Sequence, residues 1–473
     1  MSKVPDPNRR LALMVLLAAS ILVAACGSEL SESEVLERSA RTVSPTGSNS
    51  PQQADPLGTS EESPVIDQPG LANTTANGPV VTQPRASGPG ATTAPASAAA
   101  SSCSTGETGP IVVGNVGNYS GPGGNAFGQM PVGVQLWARW INNHGGLCGR
   151  QVQVVVQDDG GDPARYGSLV RQFVENRKVV AFVGHGASLS AQGGLAYHRQ
   201  SGVPVIGTDC SADFWFDSPV LFPHCATPRA QLVGMVAFGK KLTGSRNYGY
   251  LYCTEVESCL GADRIYQSGG VEEAGASLVY RKAISVAQVD FTAECQSARQ
   301  SRVELFFVAA DPATLQRVAQ SCARQNFFPQ YMNASMTWSH AALSTKGLEN
   351  VVLSMPTFPF AGAGSNPAVE EFRTAVATLA GSISPGPGLS AGWAAGKLFE
   401  LVATHAAQAD HEITSKGLIA ALYALRNETL GGLTVPLNFG PSGAKNAPCY
   451  FTMRGDGTGR GYQTPDGVGP TCR

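Results

Sequence analysis

Between Ile111 and Pro163 the hydrophobic period of the chain changes twice. Ile111–Val113, continued by Val116, is a short apolar run suited to a buried strand, and the Gly-rich turn Ser120–Gly124 ends it. Met130, Val134, Trp137 and Ile141 then recur at spacings of three and four, which places them on one face of a helix. Asn125 stands where an N-cap belongs and Gly145–Gly146 where a stop belongs. A second apolar run, Val152–Val156, ends in Asp158–Asp159. Strand, loop, helix and strand make one βαβ unit, and such a unit implies a parallel sheet. Parallel sheets bind ligands beyond the carboxyl ends of their strands, so the loop Asn118–Asn125 is the first candidate binding surface.

The same rhythm continues. A helix is expected over Ala164–Asn176, a strand over Val179–Val183, a helix over Ala191–Ser201 and a strand over Pro204–Ile206. Both strands run into loops rich in Gly, Ser and Thr, Gly184–Ser190 and Gly207–Ser211. Hydroxyls and free backbone N–H groups ahead of a helix suit a carboxylate or another anion. A second lobe is expected from about Arg229. It would hold a helix over Ala230–Leu242, a strand over Tyr248–Cys253 and, after the loop Thr254–Ser258, a helix to about Ala274. Strands over Leu278–Tyr280 and Val303–Val308 and a helix over Pro312–Gln325 follow. The chain is then expected to return to the first lobe near Trp338, with Val351–Met355 adding a strand there. Helices are expected near Pro367–Ala380, Ser390–His405 and Lys416–Leu425. Gly432–Asn438 and Pro448–Met453 look like a hairpin back in the second lobe.

The chain has 473 residues and a formal net charge of −2, which argues against sequence-independent nucleic-acid binding. Residues 1–26 read as a targeting segment: Arg9–Arg10 precede an apolar run, Leu11–Ala25, too short to be a membrane span. The run ends in Val23-Ala24-Ala25-Cys26, which resembles the bacterial lipobox and implies cleavage before Cys26 and acylation of its thiol. Residues 27–108 lack Phe, Trp and Tyr and are dominated by Ser, Thr, Pro, Ala and Gly, a composition that cannot offset its ordering entropy. They read as a tether with an end-to-end distance of roughly 50 Å as a flexible coil. Of the eleven cysteines, ten remain besides Cys26, an even set that reads as disulfides in an exported chain. Pairing neighbours in order gives Cys103–Cys148, Cys210–Cys225, Cys253–Cys259, Cys295–Cys322 and Cys449–Cys472, although the sequence leaves the connectivity open. The absence of a CxxC pair and of His pairs at zinc spacing argues against a metal site.

Four short words carry a family resemblance: YSGP at Tyr119–Pro122, FGQ at Phe127–Gln129, IN followed by GG and GR within Ile141–Arg150, and DDGGDP at Asp158–Pro163. In their order and spacing they resemble the opening of the type I periplasmic binding proteins, particularly the leucine/isoleucine/valine-binding group. The resemblance extends over about Ile111 to Gly457. It implies an α/β fold of two Rossmann-like lobes with parallel sheets, joined by a three-stranded hinge. The lobes are expected at 109–228 with 337–427, and at 229–336 with 428–473. It also implies a substrate-binding protein of an ABC importer, partnered by a membrane permease.

In that family hydroxyls and amides of the first lobe hold a ligand carboxylate. The matching positions here are Ala187, Ser188, Ser190, Asp209, Cys210 and Ser211, with Tyr119 and Ser120 closing one side and Phe127 against the ligand's side chain. An acidic residue of the second lobe holds an ammonium in the family's amino-acid binders, and Glu255, Glu257 and Asp311 are the candidates here. Two departures stand out. The tyrosine that the family often carries in the loop Thr254–Cys259 is missing, and Asp209 stands where small neutral residues are usual. A carboxylate there opposes a ligand carboxylate by like charge, so an amide, a cationic compound or an aromatic acid competes with a branched-chain amino acid as the ligand. Trp215 and Phe216 are expected partly exposed near the cleft mouth, where they could stack on a ligand.

Other motifs carry less. Gly121–Ala126 fits the loose dinucleotide form GxGxxG/A, but an exported chain meets few such cofactors, and no cofactor is expected. Asp158, Asp159 and Asp162 lack EF-hand spacing and read as a turn and a helix cap. His185 reads as structural and Trp393 as core. GxSxG, HExxH and P-loop motifs are absent, so the chain is not expected to be an enzyme. The sequence therefore reads as a lipid-anchored, monomeric, extracytoplasmic solute-binding protein that takes a small polar ligand between two lobes. A ligand-sensing receptor on the same fold and an extracytoplasmic hydrolase are the alternatives.

Overall fold

The computed structural model describes residue 103 and residues 105–472, apart from 121–123, 125, 335 and 337. The expected leader, Cys26, nearly all of the expected tether and the Asn125 cap lie outside the described residues. Cys103 and Glu107, placed in the tether by composition, are fastened to the folded chain by the Cys103–Cys148 disulfide and the Glu107–Arg150 ion pair.

Strands β1 (Ile111–Gly117), β2 (Val152–Asp158), β3 (Ala181–His185), β4 (Val205–Thr208) and β5 (Leu221–Phe222) form a five-stranded parallel sheet in the order β2-β1-β3-β4-β5. The apolar stripe of Met130, Val134, Trp137 and Ile141 becomes the buried face of helix α1 (Gln129–Asn143), the crossover from β1 to β2. Helix α2 (Pro163–Gln172) starts at Asp162, whose carboxylate accepts the amides of Ala164 at 2.7 Å and Arg165 at 3.1 Å. Helix α3 (Leu195–Ser201) joins β3 to β4. Strand order reverses between β1 and β3, and there the two backbones close up. The Asn118 amide donates to the Gly186 carbonyl at 2.9 Å, and a Cβ on Gly117 would stand 2.4 Å from that oxygen. Only glycine fits so near a neighbouring chain.

The second sheet is mixed. Strands β6 (Asn247–Cys253), β7 (Ser277–Ile284), β8 (Leu305–Ala309), β9 (Gln330–Ala334) and β10 (Val352–Met355) run parallel in the order β7-β6-β8-β9-β10. Helices α4 (Pro228–Thr243), α5 (Glu257–Ile265), α6 (Thr292–Gln300) and α7 (Pro312–Ala323) accompany them. The strand expected over Val351–Met355 in the first lobe forms as Val352–Met355 and lies in the second sheet, parallel to β9. A wholly buried apolar strand carries no surface pattern that names its neighbours.

After β10 the chain returns to the first sheet through α8 (Pro367–Leu379), α9 (Pro387–Asp410) and α10 (Ser415–Ala424). Trp393 on α9 is buried, as its apolar stripe implies. A small three-stranded sheet follows: β11 (Arg426–Glu428), β12 (Leu437–Gly440) and β13 (Gly443–Ala444). Only then does β14 (Cys449–Gly455) enter the second sheet, antiparallel to β10, with β15 (Tyr462–Gln463) and β16 (Thr471–Cys472) against it. The expected hairpin between Gly432–Asn438 and Pro448–Met453 is therefore absent. β12 pairs locally with β11 and β13, and β14 departs to the other sheet. All five disulfides join cysteines adjacent in chain order.

Three chain segments pass between the sheets and are laced together. The Ala226 amide donates to the Pro356 carbonyl at 3.1 Å and the Phe358 amide to Leu433 at 3.1 Å. The Asn446 side chain donates to the carbonyls of Pro223 and Cys225, both at 3.0 Å. β5 and β10 run into these crossings from their carboxyl ends, so the carboxyl edges of both sheets flank the hinge.

Candidate ligand-binding site

The loops after β3 and β4 meet around one carboxylate. Asp209 is buried, and its Oδ2 accepts the amides of Ala187 at 2.9 Å and Ser188 at 3.0 Å. Its Oδ1 accepts the Ser211 amide at 3.0 Å, the Ser211 hydroxyl at 2.8 Å, the Trp215 indole N–H at 3.3 Å and the Ser188 hydroxyl. The two serine oxygens stand 2.6 Å apart, both half-buried. The sequence thus brought Ala187, Ser188, Asp209 and Ser211 to one place, and the structure groups them around the protein's own carboxylate.

Cys210 turns the chain through a left-handed conformation with φ of 57° and is bonded to Cys225. That bond brackets the turn Asp213–Phe216. Trp215 and Phe216, expected partly exposed, are both buried. The reason is the Trp215 indole, which faces Asp209 and the Ser188 oxygen at 3.4 Å instead of the cleft. His224 lies beside the same disulfide, but sulfurs joined to each other offer no thiolate to a metal.

The loops after β1 and β2 form a second buried network. Asp158 accepts the amides of Tyr119 and Gly160, each at 3.0 Å. Asp159 accepts the Gly161 amide at 2.6 Å and the Ser190 hydroxyl at 2.8 Å, and burial pushes its carboxyl up to about 6. These acids hold a turn, as their spacing implies. Ser190, a candidate ligand contact, spends its hydroxyl proton inside this network. The Tyr119 hydroxyl points inward to the Asn115 side chain at 2.5 Å, and burial holds it well above its ordinary range. Phe127 is buried over Gly186, where an added Cβ would meet it at 2.8 Å. Ser120 is half-buried beside them. Deeper still, Tyr166 bridges His185 and His198 at 2.9 Å each. Burial holds both imidazoles low, His198 at about 3.

In the second sheet the order reverses between β6 and β8. The loop after β6 carries Glu255, an exposed residue whose carboxylate accepts the amides of Thr254 at 3.0 Å and Val286 at 3.1 Å. A hydrogen bond from Ser285 is the largest influence holding that carboxyl below its usual range. Asp311, after β8, caps α7 through the amides of Ala313 at 3.0 Å and Thr314 at 3.1 Å. The structure puts both acids at the carboxyl edge, with Asp311 bonded within its own helix start and Glu255 bonded to the loop after β7. Composition gave no hint of the Trp215–Ser188 contact or of the Asp159–Ser190 bond, because each joins loops distant in sequence.

Two comparisons bear on this arrangement. A family model described as periplasmic binding protein matches residues 110–460. This chain belongs to the type I periplasmic binding proteins, of the leucine/isoleucine/valine-binding type. Solved structures share this fold. A branched-chain amino acid ABC transporter protein from Thermus thermophilus with bound valine superposes with a TM-score of 0.64 at 14% identity, covering 77% of this chain and 97% of that one. A fatty acid ABC transporter substrate-binding protein from Thermomonospora curvata gives 0.62 at 18% identity, covering 76% and 92%. A solute-binding protein of an ABC transporter from R. palustris, in complex with benzoate, gives 0.60 at 15%, covering 77% and 98%. No curated protein matches the chain. As a type I periplasmic binding protein the chain has a binding role outside the cytoplasm, and the carboxyl-edge loops are where its fold places a ligand.

Proposed function

We propose that this protein is the solute-binding component of an ABC importer and takes a small polar solute between two hinged lobes. Lobe 1 is taken as residues 103–222 and 359–444, lobe 2 as residues 228–355 and 449–472, and the crossings between them as 223–227, 356–358 and 445–448. The observation that supports the reading most is the hinge. Both sheets direct their carboxyl edges, with their strand-order reversals, at the same three laced crossings. Two opposed walls can bury most of a small molecule, and hinge closure is a known motion of such folds. The protein binds without chemistry. The closed form docks on a permease as a monomer, no nucleic acid takes part, and Cys26 carries the lipid that anchors the tether to the outer face of the cell membrane. Among the described residues no helix is long and apolar enough to cross a membrane.

A thermal-shift screen of amino acids, amides, amines and aromatic acids tests the reading. A ligand at 100 times its dissociation constant stabilises by about 2.7 kcal/mol. The best hit should also compact the molecule in X-ray scattering. A full panel that shifts nothing and compacts nothing counts against a solute-binding role.

A further inference from the structure

The polar grip of the first lobe is already filled by Asp209. Six donors converge on its carboxylate: the Ala187, Ser188 and Ser211 amides, the Ser188 and Ser211 hydroxyls and the Trp215 indole. An ionised carboxylate offers about four lone-pair sites, so six donors saturate it. The donors are all neutral, so the negative charge stays in the loop. A ligand carboxylate arriving here would find its hydrogen-bond donors taken and a like charge in place of them.

The two half-buried serines present the opposite polarity to a solute in the crevice. A hydroxyl has one proton to give, and Ser188 and Ser211 direct theirs inward, to Asp209 or from one serine to the other. What the half-buried hydroxyls can still offer outward is lone pairs. We infer that Asp209 stands in for a ligand carboxylate, and that the solute of this protein lacks one. The solute is instead neutral or cationic and presents N–H or O–H donors, as an amine, a primary amide or a polyol does. This inference rests on the carboxyl-edge crevice being the solute site.

Two measurements on the full chain test it. Titration calorimetry of matched pairs, valine against valinamide and benzoate against benzamide, should favour the member without the carboxylate by roughly 100-fold, the cost of a like charge set against a desolvated one. A carboxylate that binds more tightly than its own amide overturns the inference. The second measurement reads the grip without any native ligand. Asp209→Ala empties the cradle, and acetate should then raise its melting temperature saturably while leaving the unsubstituted protein unshifted. A variant that folds only in acetate supports the inference equally. One that acetate leaves unfolded or unshifted overturns it. If nothing in the paired panel binds, the solute-binding reading suffers, and the acetate result alone decides the role of Asp209.

Discussion

Gly133 of α1 and Gly392 of α9 face each other where the two helices cross. A Cβ on Gly392 would lie 2.1 Å from the Met130 carbonyl oxygen and 3.0 Å from the Cα of Gly133, and a Cβ on Gly133 would lie 2.3 Å from the Leu389 oxygen. The backbones touch, so α9 can pass from Pro387 to Asp410 through the first lobe with every residue from Pro387 to Gly396 buried.

A methyl group at this crossing has only backbone to displace. Gly392→Ala should cost about 3 kcal/mol, the upper range for overpacking. Thermal unfolding of that variant beside Gly440→Ala, where nothing lies within 4 Å of the added atom, checks it. Equal melting temperatures for the two would show that the helices slide apart freely.

Much of this architecture was legible because it is local. The stripe from Met130 to Ile141 buries one face whatever it packs on, and Asp162 before Pro163 caps a helix in any context. The partner of Val352–Met355 was not legible, because four buried residues look alike in either sheet. The site divides the same way. Ser188 and Ser211 could be picked out from loop chemistry ahead of helices. That Asp209 would draw Ser188 to itself depends on the distance between two loops, and that Trp215 would turn inward depends on how the loop after β4 folds back on itself.

Acid should destabilise the protein below about pH 6.5. Burial lowers His224 to about 4 and His198 to about 3, so these rings stay neutral in the folded state while the unfolded chain takes up protons. A depressed histidine contributes stability that is present above its unfolded value of 6.5 and lost as pH falls through its folded value. His224 alone accounts for roughly 3 kcal/mol between pH 6.5 and 4. Asp159 works the other way. Its carboxyl, raised to about 6, favours the folded form as pH falls from 6 toward 4. With two histidines against one such aspartate, the net slope falls toward acid. Urea titrations from pH 7 to 4 should show it. His224→Gln, which keeps a donor for the Ala391 carbonyl at 2.8 Å, should flatten the acid limb by about one proton. An unchanged limb would remove His224 from the account.

The Cys210–Cys225 bond closes a loop that holds Ser211, Trp215 and His224. Replacing both cysteines with alanine should cost about 3 kcal/mol in the chain-entropy model. It should also loosen the donors around Asp209. A ligand found by screening should then bind at least tenfold more weakly, while Cys295→Ala with Cys322→Ala, which unlinks α6 from α7 within the second lobe, should leave its affinity nearly unchanged. Comparable losses of affinity in the two variants would show a general loss of stability and no special tie between this bond and the site.

Asn446 fastens the third crossing to the first through two carbonyls on the two sides of His224, those of Pro223 and Cys225. Those two bonds join one crossing to another, so their contribution should appear in the motion between lobes more than in internal stability. Asn446→Ala removes both bonds, and with them the longer one its oxygen accepts from the Asn438 amide at 3.4 Å, a loss of about 2 kcal/mol if water does not replace them. The distribution of lobe angles should widen, seen as a larger radius of gyration in the ligand-free protein, and saturating ligand should restore the original value. Because closure then starts from a looser ensemble, binding should weaken by no more than the energy of the lost bonds, about 30-fold at most. A variant with the parent's radius of gyration and the parent's affinity would mean that the backbone bonds at Ala226–Pro356 and Phe358–Leu433 hold the hinge without it.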